Sequence, residues 1–154
     1  MPSVFFLHRI QKDGDTFTKG IEVHVTLNDA IRAFWGRMKT GYNDPEHPNM
    51  SYVACYISDD NGSIYQLYNK SWRRKTDNEE PIENKVFLHS IRREGETYTK
   101  TIDVYDDMDA AKRAYASAME YGYNNPKFPE VNLVSCEITD ITGGKIIASE
   151  NWVK

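Results

Sequence analysis

Cysteine is scarce in this chain: there are two, Cys55 and Cys136, and no CxxC pair. That excludes a disulfide framework and gives no zinc signature. An excess of basic charge is also missing. Lysine and arginine number 19 against 23 acidic residues, a net charge of −4. Such a balance gives no bulk attraction for a phosphate backbone, so nucleic acid is not an expected partner. No stretch approaches the roughly 20 apolar residues that span a bilayer. The first apolar run, Val4 to Ile10, is too short for a secretion signal, and charge follows it at once. These absences point to a cytoplasmic protein away from membranes. Catalytic signatures are missing too. There is no HxxxH or HExxH, no ordered Ser-His-Asp set, no paired-carboxylate spacing and no glycine-rich phosphate loop. The expectation is a protein with no catalytic residues, no metal and no cofactor.

What the chain does contain is a repeat. GYNDPEHP, Gly41 to Pro48, returns as GYNNPKFP, Gly122 to Pro129, 81 residues later. With that shift, positions 6–62 lie on 87–143 without a gap, and 24 of the 57 are identical. Trp72 matches Trp152 after a one-residue slip. The stretch between the copies is charged, nearly free of large apolar residues and broken by Pro81, which reads as a surface linker. The organisation expected is repeat one over 1–73, linker over 74–84 and repeat two over 85–154. A tether this short lets two copies dock as a fused dimer related by a pseudo-twofold.

Within one copy, Val4 to Ile10 has strand composition, and KDGD (Lys12 to Asp15) supplies a hairpin signal. The next strand, Thr16 to Val25, alternates. Phe17, Ile21, Val23 and Val25 form one row, and Thr16, Thr18, Glu22 and His24 the other. A helix follows, with Thr26 or Asp107 as N-cap and an apolar stripe of Leu27, Ala30, Ile31, Phe34 and Met38. Gly41 and Gly122 suit a left-handed position past the helix end, where Tyr42 and Tyr123 can fold back as an apolar contact. A third strand, Met50 to Ser58, puts Val53, Cys55 and Ile57 inward. The opposite row differs between copies, as an outer row would. A fourth strand, roughly Ser63 to Tyr68, completes a ββαββ unit. The fold class is α+β, a tandem repeat of two such units with antiparallel sheets and one helix each.

Candidate binding residues are the polar ones that both copies keep. His8 and His89 share an apolar row, so they are either core histidines or imidazoles lining a groove. Lys19 and Lys100 sit on the apolar row of strand two, which suggests protection of a sheet edge or an ammonium offered to a ligand. Arg32 and Arg113 lie on the helix flank. Tyr42, Asn43, Tyr123 and Asn124 occupy the proline-fixed loop, whose rigidity suits recognition. Tyr52, Tyr56, Tyr65 and Tyr68, confined to copy one, form either core or an exposed aromatic patch.

The function expected is that of a non-enzymatic binding protein: a small inhibitor or adaptor, of the kind phages and mobile elements encode, with a protein partner. The alternative is capture of a small anionic, nucleotide-like ligand in a groove between the repeats.

Overall fold

A computed structural model describes residues 2–42, 44–74, 85–141 and 146–154. The chain divides into two compact units, Met1–Pro81 and Ile82–Lys154. The linker expected at 74–84 lies, apart from Arg74, outside the described residues, as do Asn43 and part of the turn after Ile141.

The first unit runs β1 (Phe5–Asp13), β2 (Thr16–His24), α1 (Leu27–Met38), β3 (Met50–Asp59) and β4 (Ile64–Arg73). The second runs β5 (Val86–Glu94), β6 (Thr97–Tyr105), α2 (Met108–Met119), β7 (Val131–Asp140) and β8 (Ile146–Val153). Each unit is a four-stranded antiparallel sheet, ordered β2-β1-β3-β4 or β6-β5-β7-β8, with one helix on one face. The tandem ββαββ, α+β architecture is the one the repeat predicts.

Local chemistry explains the elements. Gly14 and Gly95 take φ of 62° and 58° in the β1–β2 and β5–β6 turns, a conformation that costs glycine little. Thr26 Oγ1 accepts the Asp29 amide at 3.1 Å and Asp107 accepts the Asp109 amide at 2.9 Å, so both helices begin on capped ends. Ala30, Phe34 and Met38 then pack on Phe5, Leu7, Val53, Cys55 and Ile57. In the second unit Ala111 and Met119 pack on Val86, Leu88, Val134, Cys136 and Ile138. Full burial of each large apolar side chain stabilises by about 1.5–3 kcal/mol, so this layer holds each helix to its sheet.

Several boundaries differ from the sequence reading. β1 runs on to Asp13, because the ladder to β2 continues down to the turn. β4 reaches Arg73 and includes Trp72. Val53 pairs with Trp72 and Val134 with Trp152, so the two tryptophans are equivalent. Register irregularities in the β3–β4 and β7–β8 ladders absorb the one-residue slip.

The faces of the sheet differ from the sequence reading as well. Leu7, in the helix-side core, pairs with Glu22, while His8 pairs with Ile21. The apolar row of β2 (Phe17, Ile21 and Val23) therefore lies on the face away from the helix. Glu22 and His24 lie on the helix side. The row of β3 expected to be outer is buried too: Tyr52, Ala54 and Tyr56, and in β7 Leu133, Ser135 and Glu137. Divergence there is not drift on a wet surface. The aromatics confined to copy one split between the faces. Tyr52 and Tyr56 are buried on the helix-free side, whereas Tyr65 and Tyr68 pack partly buried on the helix-side core. They form no exposed aromatic patch.

Candidate functional site: the corner after each helix

The repeated loop is a chain of short turns. In the first unit, backbone amides donate three residues back: Gly41 to Met38, Asp44 to Gly41, His47 to Asp44 and Met50 to His47, at 3.0–3.2 Å. The second unit repeats this, from Gly122 to Met119 through to Val131 to Phe128, at 3.0–3.2 Å. Asp44 Oδ1 accepts the Glu46 amide and Asn125 Oδ1 the Lys127 amide, each at 2.9 Å. These bonds tie the described part of each loop to itself turn by turn, while residues between its buried ends stay partly or fully exposed.

The glycine of this motif is not the left-handed residue. Tyr42 and Tyr123 are, both at φ 55°, with Asn124 following at φ 54°. Gly41 and Gly122 are glycine for another reason. A Cβ on Gly41 would lie 2.9 Å from Trp72 Cε3, and one on Gly122 would lie 2.9 Å from Trp152 Cδ2. The indole occupies the side-chain space, so the chain reversal falls on the tyrosine. In the second unit Tyr123 and Asn124 are the central residues of a turn closed by the Asn125 amide and the Gly122 carbonyl. Positive φ at both centres is type I′ geometry, which favours Gly, Asn and Asp. A bulky side chain there is strained by roughly 1–2 kcal/mol.

That strain does not serve burial. Tyr42 is 50% exposed and Tyr123 57%. The expectation that they fold back into an apolar contact holds only loosely. Tyr42 tilts against Trp72 at a ring separation of 6.5 Å. Tyr123 donates its hydroxyl to Glu150 on β8. That bond, with a smaller share from burial, raises the Tyr123 phenol above its ordinary pKa. Tyr115 on α2 bonds the same carboxylate, and its phenol is raised by burial first and by Glu150 second. In the first unit Phe34 stands where the second has Tyr115, and Lys70 where it has Glu150. The Lys70 ammonium stands 5.8 Å from the Trp35 ring, and Trp35 is 46% exposed.

The other sequence-derived candidates fall elsewhere. His8 and His89 are each 1% exposed. His8 Nε2 meets Ser58 Oγ at 2.8 Å and stacks on Tyr56 at 4.0 Å; His89 Nε2 meets Thr139 Oγ1 at 2.8 Å. Burial pushes the His89 imidazole down from 6.5 to about 3, which keeps it neutral at ordinary pH. Lys19 and Lys100 are exposed on β2 and β6, which are edge strands. Arg32 and Arg113 are exposed on the helices, and Arg32 pairs with Asp29. Within either unit the sheet separates the helix arginine from the histidine and lysine. Asn43 lies outside the described residues.

Three further features have no signal in the sequence pattern. Arg9, partly buried on the helix side of β1, has a buried Nε with no hydrogen-bond partner among the described residues. Nearby, Glu22 accepts from Arg37 Nε at 2.9 Å and lies 3.6 Å from His24. Asp44, Glu46 and His47 bring ligand atoms within 4.8 Å of one another, a group able to hold a divalent cation. The second unit has Asn125, Lys127 and Phe128 there instead, so that group is not repeated.

Among the described residues no helix is long and apolar enough to cross a membrane. Comparison with protein-family models, curated proteins and solved structures finds no match.

Proposed function

We propose that the chain is a non-enzymatic protein-binding module, an inhibitor or adaptor, which recognises its partner through the two corners. One observation carries this. Both repeats keep a half-exposed tyrosine in a left-handed conformation that glycine or asparagine would adopt more cheaply. Backbone strain that packing does not explain tends to gather at binding sites. A tyrosine held on a loop of successive hydrogen-bonded turns loses little entropy on contact and contributes a large, amphipathic area. The test is retention of partner from lysate of the source organism, comparing wild type with a Tyr42→Asn, Tyr123→Asn double variant. The reading requires one stoichiometric protein retained by wild type and lost by a fully folded variant. Equal retention by both contradicts it.

A second reading, capture of a small nucleotide-like anion, draws support from Arg9. Its buried Nε has no hydrogen-bond partner among the described residues, and a guanidinium donor left unsatisfied would gain from an anion that reached it. A rise in thermal midpoint with phosphate or nucleotides, absent in Arg9→Gln, would favour it. A flat response across those anions would remove it.

A further inference from the structure

When the repeats are aligned, most pairs of charged residues keep their sign, among them Lys12 with Arg93, Asp13 with Glu94, Lys19 with Lys100, Glu22 with Asp103, Arg32 with Arg113 and Asp59 with Asp140. Three pairs reverse it. They are Lys39 with Glu120, Glu46 with Lys127 and, in the tryptophan-bearing strands, Lys70 with Glu150. All three fall at the corners. Lys39 and Glu120 are the C-caps of α1 and α2. Glu46 and Lys127 occupy the same turn of the two loops. Lys70 and Glu150 oppose Cys55 and Cys136 at equivalent places in the ladders. All six are exposed. Size alternates as well: Trp35 stands half-exposed where the second unit has Ala116.

We infer that the corner of repeat one docks on the corner of repeat two in a second copy of the chain. This rests on the reading of the corners as protein-binding surfaces, and it names the partner. Two repeat-one corners brought together would set Lys39 and Lys70 against their own kind. A repeat-one corner on a repeat-two corner sets them against Glu120 and Glu150, and Glu46 against Lys127. It also places the Trp35 ring where Ala116 leaves room. The contact is heterologous, so each chain offers one corner of each kind. Because the pairs are exposed, it is weak and salt-sensitive.

Sedimentation equilibrium tests this on the whole chain. In low salt the average mass of wild type is expected to rise above the monomer value in the high-micromolar range, and to return to it at about 0.5 M salt. Lys39→Glu with Lys70→Glu makes both corners acidic and should give a monomer. Glu120→Lys with Glu150→Lys makes both basic and should also give a monomer. An equimolar mixture of the two variants should associate again. Lys19→Glu with Lys100→Glu carries the same net charge as the first variant but leaves the corners intact, and it should behave as wild type. A wild type that stays monomeric in low salt overturns the inference, as does association that survives either corner variant or a mixture that fails to associate. If the chain is monomeric yet a different protein is retained through Tyr42 and Tyr123, self-docking is wrong and the corner reading stands.

Discussion

The indole of Trp72 occupies the space that a side chain at Gly41 would need, and Trp152 stands in the same relation to Gly122. These two pairs tie the end of each helix to the last strand of its sheet. Gly41→Ala or Gly122→Ala must push the indole or the loop aside. Each substitution should cost about 1–3 kcal/mol, visible as a lower urea midpoint at unchanged slope. An unchanged midpoint would mean that the contact is looser than 2.9 Å implies.

The tyrosine next to each glycine should respond in the opposite way. Tyr42→Asn and Tyr123→Asn relieve left-handed strain of roughly 1–2 kcal/mol and lose only half-exposed contacts. Thermal midpoints equal to or slightly above wild type are expected. A large loss of stability would show that the tyrosines hold the fold together, leaving the strain explained without binding.

His89 makes stability depend on pH. Its folded pKa is about 3 against an ordinary 6.5, depressed by burial. Above the unfolded value the imidazole is neutral in both states, and its contribution is fully present. As pH falls from about 6.5 towards 3, the unfolded chain takes up a proton that the folded one refuses. Unfolding free energy should then drop by up to about 1.4 kcal/mol per pH unit from this residue. Denaturant melts at pH 7, 5.5 and 4.5 measure it, and His89→Gln should flatten the trend. An identical slope in the variant would show that the imidazole is reached by water.

Both thiols are buried and free, and burial raises each to about 12. Native protein at pH 8 should resist iodoacetamide, whereas urea-unfolded protein should take two labels. Rapid labelling of native protein at Cys55 or Cys136 would reveal local opening of the helix layer.

The repeat made much of this fold legible. The turn glycines Gly14 and Gly95, the capping residues and the helical stripe are local signals, and each forms where expected. What stayed hidden depends on the third dimension. Alternation separates Phe17, Ile21 and Val23 from Glu22 and His24, but it cannot say which row a helix will cover. Likewise Tyr52 and Tyr56 lie on a face whose burial no local pattern records. A glycine just past a helix end usually signals a left-handed residue, and Gly41 carries that signal without the conformation. The reason for it lies 31 positions on, in a tryptophan whose register only the ladder reveals. The corner charges were visible all along. Lys39 against Glu120 and Glu46 against Lys127 stand in the sequence itself, at positions where the copies differ while their surroundings agree.

Site-specific photo-crosslinking tests the central claim most directly. A benzophenone amino acid would replace Tyr42, Tyr123 or, as an exposed control on a helix, Arg113, and whole protein would be irradiated in lysate of the source organism. Adducts to one protein, including another copy of this chain, are predicted from positions 42 and 123 and not from 113. Adducts at equal yield from all three positions, or from 113 alone, would contradict the assignment of the corners as the binding surface.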